Sequence, residues 1–175
     1  MAGSEVPIFL RKSTLRLPHK TQTPVIMIGP GTGFAPFRGF LQDRAALKKE
    51  GKEVGPQIVY FGCRHPDEDF IYEGQLQEWQ TEGVLSELHV AFSRRQQHKV
   101  YVQHLLKQNA ASTWKLIHEQ GAHIYVCGDA RHMARDVLET FISIGVEEGG
   151  LSREDSERYF KRLETQKRYQ ADVWS

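Results

Sequence analysis

The stretch that most constrains the fold is residues 24–36, PVIMIGPGTGFAP. Its short apolar run, Val25–Ile28, predicts a buried β-strand. A glycine-rich turn from Gly29 to Gly33 follows, and Pro36 is favourable at the start of a helix. Such a turn brings backbone N–H groups close to an anion, and the helix dipole favours negative charge there. The stretch therefore predicts a phosphate-binding turn, with a tight strand-to-helix connection that holds no ligand as the alternative.

This turn departs from the two best-known phosphate-binding motifs. Phe34 stands where G-x-G-x-x-G has its third glycine, and no Gly-Lys-Ser/Thr follows as in a Walker loop. The turn by itself therefore does not identify the nucleotide.

Length and composition predict one soluble globular domain. The chain has 175 residues, of which 39% are hydrophobic and 26% charged, with a net charge of +1. The small net charge argues against nucleic acid and against an anionic membrane surface as partners. No apolar run approaches the length of about 18 residues that a membrane span needs. Two cysteines without a C-x-x-C pattern indicate a reducing, intracellular setting.

The chain alternates strand patterns with helix patterns. We expect residues 1–23 to form an N-terminal segment, whose first residues, MAGS, are a candidate expression remnant, and residues 24–175 to form the nucleotide-binding domain. Strands are predicted at 6–10, 24–28, 57–63, 87–93, 123–127 and 171–174. Helices are predicted at 36–49, 71–82, 101–120 and 133–144, with a last helix opened by a capping box at Ser152 and Asp155. This alternation predicts an α/β fold with a doubly wound, parallel, five-stranded sheet of order 3-2-1-4-5 and helices on both faces.

Ligands of such sheets bind at the carboxyl ends of the strands, and the most polar loop there is residues 93–101, SRRQQHKVY. Arg94 and Lys99 supply charged donors that suit a dianionic phosphate, and the Tyr101 ring suits an adenine. A solvated basic loop is the alternative. The second strand ends in Cys63-Arg64-His65, without the acid that binds the ribose of NAD, which favours NADP.

Three further positions near the predicted cleft are open to two interpretations each. Cys127 either contacts a nicotinamide or is an inert buried side chain, and Asp129 contributes to the site or caps the next helix. Trp174 either fills the core or offers a platform to a flat ring. No metal site is predicted, because the histidines at 118 and 123 lack H-E-x-x-H spacing, and no G-x-S-x-G elbow of a hydrolase is present.

Five segments in order resemble the C-terminal NADPH-binding domain of the diflavin reductases. They are GPGTGFAPFRGFLQDR (29–44), YFGCRHPDEDFIY (60–72), AFSRRQQHKVYVQHLL (91–106), HIYVCGDARHMARDV (123–137) and RYQADVWS (168–175). The resemblance covers residues 6–175 and is strongest to the branch that reduces cytochrome P-450, with methionine synthase reductase as the alternative. It departs from the family pattern at Gly74 and His132.

The resemblance implies a role for each matching position. The pyrophosphate would be held by Gly31, Thr32 and Gly33, the 2′-phosphate by Ser93, Arg94 and Lys99, and the adenosine by Tyr101 and Gln103. The nicotinamide and its ribose would be surrounded by Cys127, Gly128, Asp129 and Met133. Cys127 and Asp172 would assist hydride transfer, and Trp174 would stack over the flavin and move aside for the nicotinamide.

The resemblance also implies a longer protein. The family carries an FMN domain, an FAD domain and a membrane anchor, so we expect a hydride to pass from NADPH to FAD and electrons to pass through FMN to a haem protein such as a cytochrome P-450. That enzyme would sit on the cytoplasmic side of the endoplasmic reticulum membrane. The present chain is expected to be a soluble, cytoplasmic fragment that binds NADP(H) without turnover and makes no membrane contact. The alternatives are a domain that binds NAD or a mononucleotide and a non-catalytic interaction module.

Overall fold

The computed structural model describes residues 7–8, 13–129 and 132–174. Most of the strand predicted at residues 6–10 lies outside these ranges. Within them the structure is a central sheet with helices on both faces.

The sheet has five parallel strands in the order β3-β2-β1-β4-β5. The strands are β1 (Val25–Ile28), β2 (Gln57–Cys63), β3 (Glu87–Phe92), β4 (His123–Asp129) and β5 (Tyr169–Trp174). The predicted fold class and strand order are confirmed. The apolar run Val25–Ile28 becomes the central strand, and all four of its residues are buried because both faces and both edges are covered.

Seven helices are present in the described residues. They are α1 (Ala35–Lys49), α2 (Pro66–Asp69), α3 (Glu73–Thr81), α4 (Val102–Gln108), α5 (Ala110–His118), α6 (Met133–Glu147) and α7 (Arg153–Thr165). Alternate residues of β1 enter different cores: Ile26 and Ile28 pack with apolar residues of α4 to α7, whereas Val25 and Met27 pack with those of α1 and α3.

The prediction of one helix over residues 101–120 is wrong. The segment forms two helices, α4 and α5, that meet at Asn109, whose backbone leaves helical geometry at φ −102° and ψ 24°. The Asn109 side-chain amide donates a hydrogen bond of 2.8 Å to the carbonyl of Leu105. The same carbonyl also accepts the Asn109 N–H at 3.1 Å, so that Asn109 closes α4, whereas the apolar spacing on either side of Asn109 looks continuous.

The helix predicted from residue 71 begins later. Tyr72 has a left-handed backbone, φ 62°, so that α3 starts at Glu73, and the short helix α2 before it was not predicted. Other boundaries shift by a few residues, and β4 continues through Asp129. The predicted cap at Ser152 is confirmed, because its hydroxyl accepts the N–H of Asp155 at 3.1 Å.

Candidate functional site

A cavity of about 860 Å³ lies at the carboxyl edge of the sheet. Its wall includes residues from the ends of β1 to β5, as expected for a doubly wound sheet. The predicted site residues on the wall are Gly31, Thr32, Ser93, Tyr101, Gln103, Asp129, Met133 and Trp174. Other predicted residues, namely Gly33, Arg94, Lys99, Cys127, Gly128 and Asp172, are adjacent in sequence or in strand register but are not among those that line it.

The glycine turn continues into a 3-10 turn, Gly31–Phe34, before α1 begins. A Cβ atom on Gly33 would lie 2.2 Å from the carbonyl oxygen of Cys127, so only glycine lets the turn pack this closely on β4. A Cβ atom on Gly31 would meet no atom within 4 Å, but the φ of 56° at this residue favours glycine. Close packing therefore requires glycine at residue 33. Gly31 and Thr32 lie on the cavity wall.

Phe34 explains why the third glycine of the dinucleotide motif is absent. Its side chain is fully buried and meets Phe61 of β2 edge to face, with ring centroids 5.7 Å apart. The position serves the core between α1 and the sheet, where an aromatic pair is favourable.

The ends of β2 and β3 are joined by backbone hydrogen bonds. The N–H of Ser93 donates to the carbonyl of Cys63 at 2.9 Å, and the N–H of Arg94 donates to the carbonyl of Arg64 at 3.1 Å. Arg94 and Lys99 are exposed on this loop, beside the cavity wall formed by Arg64 and Ser93. The arrangement places Arg64 on the cavity wall and the loop that carries Arg94 and Lys99 next to it.

Two side chains beside the basic loop suit an adenosine. Tyr101 precedes α4 and its side chain is 42% exposed at the cavity. The Oε1 atom of Gln103 is buried and has no hydrogen-bond partner among the described residues, although Gln103 lines the cavity. Buried acceptors are normally paired, so a ligand donor such as an adenine amino group would complete this wall.

At the opposite end, β4 and β5 place the remaining predicted residues side by side. Cys127 pairs in register with Asp172, and Asp129 pairs with Trp174. Burial, with a smaller contribution from the Asp172 charge, raises the pKa of the Cys127 thiol to about 11. Cys127 is therefore a neutral thiol at physiological pH.

One of the alternatives left open by the sequence is settled here. Trp174 does not fill the core, because 49% of its surface is exposed at the cavity rim. Asp129 is the last residue of β4, and His132 occupies the N-cap position of α6.

The N-terminal side of the chain supports β5. Gln170 accepts the N–H of Arg16 at 2.9 Å and donates to the Arg16 carbonyl at 3.0 Å. The Tyr125 hydroxyl donates to the same carbonyl at 2.6 Å, and Leu15 is buried in the core. The strand that carries Asp172 and Trp174 is therefore fixed to the segment that precedes β1.

Several cavity residues were missed by sequence reasoning. They include Gly62, Asp69, Ile71 and Asp136. Asp69 is the most informative of them, because it places a carboxylate near the end of β2, where no acid directly follows the strand. Its position six residues after the strand, in the unpredicted helix α2, hid it.

Two kinds of site were not found in the described ranges. Across residues 7–8, 13–129 and 132–174, no cluster of three or more His, Cys, Asp or Glu side chains is arranged to hold a metal ion. Within the same part of the chain, no helix is both long and apolar enough to cross a membrane.

This chain is similar to one known protein family and to several curated proteins. The oxidoreductase NAD-binding domain family matches residues 27–139. NADPH–cytochrome P450 reductases of Cavia porcellus and Homo sapiens are each 58% identical over 170 residues, which cover 97% of this chain and 25% of each relative. The Salmo trutta protein of the same name is 54% identical over 167 residues, covering 95% of this chain and 28% of the relative.

The chain thus spans about a quarter of the length of the curated relatives it matches. The resemblance to the diflavin reductases noted in the sequence is confirmed by these relatives, and the family match includes the glycine turn and β4. The chain belongs to the oxidoreductase NAD-binding domain family.

Proposed function

We propose that this chain is the NADP(H)-binding domain of a diflavin oxidoreductase and holds NADPH for hydride transfer to FAD. The observation that carries the proposal is one cavity that joins the glycine turn, the basic loop and the exposed Trp174. Positions far apart in the sequence thereby meet at one edge of the sheet, in the order in which a dinucleotide would need them.

Each part of the cavity has a distinct binding role. Gly31, Thr32 and Gly33 hold the pyrophosphate through the turn, where backbone N–H groups and the start of α1 favour anions. The 2′-phosphate is bound by Ser93, Arg94 and Lys99 through charge-assisted hydrogen bonds. The adenosine lies against Tyr101, with Gln103 completing its hydrogen bonds.

The other end positions the nicotinamide, which supplies the hydride when the cofactor is bound. Cys127, Gly128, Asp129 and Met133 surround it, and Cys127 with Asp172 assists the transfer. The neutral thiol and the adjacent carboxylate form a pair that can orient a polar group without adding a thiolate charge. Trp174 covers the flavin face and moves aside when the nicotinamide approaches.

The full-length protein is proposed to carry FAD and FMN domains, which are the partners of this one, and to pass electrons to a haem protein such as a cytochrome P-450. The relatives' names, which describe cytochrome P450 reductases, support that acceptor. We propose that the whole protein lies on the cytoplasmic side of the endoplasmic reticulum membrane. Residues 1–23 form an N-terminal segment in which residues 6–17 are the tail of the FAD domain, and residues 24–175 form the NADP(H)-binding domain.

Calorimetric titration of the chain tests nucleotide binding. NADP⁺ should bind, and adenosine 2′,5′-bisphosphate should bind at least about a hundredfold more tightly than 5′-AMP, because the 2′-phosphate gains two or more charged hydrogen bonds. Equal binding of the two adenosine compounds would overturn the assignment to NADP(H). Saturable binding of NAD⁺ alone would favour a different oxidoreductase domain.

Turnover is tested separately. The purified chain should bind NADPH without oxidising it, since the proposed flavin acceptors belong to other domains. Steady oxidation of NADPH with no flavoprotein added would contradict this part of the proposal. With the full-length protein, reduction of a cytochrome P-450 compared with reactivation of methionine synthase identifies the acceptor.

A further inference from the structure

Asp69 brings a carboxylate to the adenosine end of the cavity, at the end of α2. In dinucleotide-binding folds a carboxylate after the second strand binds the ribose hydroxyls and selects NAD. Here the carboxylate is engaged within its own loop. It accepts the N–H of Arg64 at 2.9 and 3.0 Å through its two oxygens, and the N–H of His65 at 2.8 Å.

The same carboxylate also faces the Arg64 side chain. Arg64 Nε lies 3.6 Å from Asp69 Oδ2, so both the backbone and the guanidinium group of Arg64 are next to Asp69. The hydrogen bonds from the His65 and Arg64 backbone, together with the Arg64 charge, lower the pKa of the Asp69 carboxyl, which keeps it ionised. Arg64 itself lines the cavity.

The loop that Asp69 holds is joined to the proposed phosphate-binding loop. Asp69 accepts the backbone N–H of Arg64, and the carbonyl of the same residue accepts the N–H of Arg94. Ser93 is tied in the same way to Cys63. Asp69 is therefore connected through Arg64 to Arg94, near the start of the basic loop.

We propose that Asp69 is a positioning residue for recognition of the adenosine 2′-phosphate, an inference that rests on the proposed function. Its carboxylate satisfies the N–H groups of the loop after β2 and keeps the Arg64 guanidinium at the cavity wall. In this chain the carboxylate near the end of β2 therefore favours the binding of NADP over that of NAD.

Positioning by Asp69 and simple electrostatics predict changes of opposite sign. Removing a negative charge near a phosphate dianion should strengthen binding if charge alone matters. Removing Asp69 should weaken binding if the carboxylate acts by positioning Arg64. The sign of the change therefore separates the two explanations.

The experiment measures the affinities of adenosine 2′,5′-bisphosphate and 5′-AMP for the chain and for its Asp69→Ala and Asp69→Asn variants. We expect Asp69→Ala to lower the preference for the bisphosphate by about tenfold, the equivalent of one charge-assisted hydrogen bond. The preference of Asp69→Asn should lie between those of the unmodified chain and Asp69→Ala, because the amide oxygen of asparagine still accepts an N–H. The control is Asp67→Asn, which removes the same charge from an exposed position in the same helix and should leave the preference unchanged or slightly raised.

Two further readouts show whether the effect passes through Arg64. In an Arg64→Ala background, the additional substitution Asp69→Ala should lower the preference for the bisphosphate only slightly. In the single variant Asp69→Ala without nucleotide, amide hydrogen exchange at Arg64 and His65 should accelerate, while distant core amides keep their protection. An unchanged or increased preference in Asp69→Ala overturns the proposal, as does a full effect in the Arg64→Ala background. Failure of the proposed function has a different signature, since the unmodified chain would then not prefer the bisphosphate.

Discussion

The two ends of the cavity are built in contrasting ways. At the β2–β3 end the candidate ligands are exposed side chains on loops, among them Arg94, Lys99 and Tyr101. At the β4–β5 end most of them belong to strands, among them Cys127, Asp129 and Asp172, and Cys127 is only 3% exposed. Side chains at the loop end can therefore change with little effect on the fold, whereas a substitution at the buried Cys127 is expected to disturb the sheet.

The reason for the contrast is that backbone lies close to backbone where the glycine turn meets β4. A Cβ on Gly33 would lie 2.2 Å from the carbonyl oxygen of Cys127. Side chains at the loop end have solvent around them, so their loss leaves no cavity and few unsatisfied groups.

The largest effect is expected from the pair Arg94→Ala and Lys99→Ala. Together they remove two charged donors, so the affinity for adenosine 2′,5′-bisphosphate should fall by about a hundredfold or more, measured by calorimetry. The free energy of unfolding should change by less than about 0.5 kcal/mol, because both residues are on the surface.

The control for this pair is Arg95→Ala, whose guanidinium group lies 5.5 Å from the Phe92 ring centroid. This variant should retain most of the affinity. Unchanged binding in the Arg94 and Lys99 double variant would mean that the basic loop is only a solvated face.

At the opposite end, Gly33→Ala should lower the free energy of unfolding by about 3 kcal/mol or more, since its Cβ meets backbone that cannot move aside. Gly31→Ala is the matched control: it meets no atom within 4 Å and should cost only about 1–2 kcal/mol for its left-handed backbone. Urea unfolding of both variants measures the difference. Equal losses of unfolding free energy in the two variants would show that close packing on β4 does not make residue 33 more sensitive to substitution than residue 31.

Gln170→Leu tests the support of β5. The substitution leaves the N–H of Arg16 without its acceptor and should lower the free energy of unfolding by about 2 kcal/mol. Urea unfolding measures the loss, with Tyr125→Phe as a companion that removes one of the two donors to the Arg16 carbonyl and costs about 1 kcal/mol. A neutral Gln170→Leu variant would indicate that strand pairing alone holds β5.

The smallest effect concerns a property that the two ends share. Burial is the main cause that raises the pKa of both Cys63 and Cys127 to about 11, with smaller contributions from nearby carboxylates. At pH 8 both thiols are therefore almost entirely protonated, and alkylation by iodoacetamide should be at least about tenfold slower than in the urea-unfolded chain. The rate should rise with pH towards the raised pKa. Fast modification of one cysteine at pH 8 would show that its end of the cavity opens to solvent.

Much of the fold could be predicted because its signals are local. The apolar runs and the glycine turns between them mark strands and connections, and the rules for parallel sheets then give the strand order. The rule that ligands bind at the carboxyl ends of strands directed attention to Thr32, Ser93 and Trp174, which all lie on the cavity wall.

The amino-acid sequence alone predicts the sheet, its strand order and the edge that carries the cavity, since strand periodicity and turn chemistry are properties of neighbouring residues. The folded chain was needed to show that residue 33 must be glycine because it packs on Cys127, and that Asp69 accepts hydrogen bonds from the loop after β2. The division of the predicted long helix at Asn109 also appears only in the fold. These outcomes depend on which distant or competing groups come within contact distance, and no periodicity in the chain encodes that.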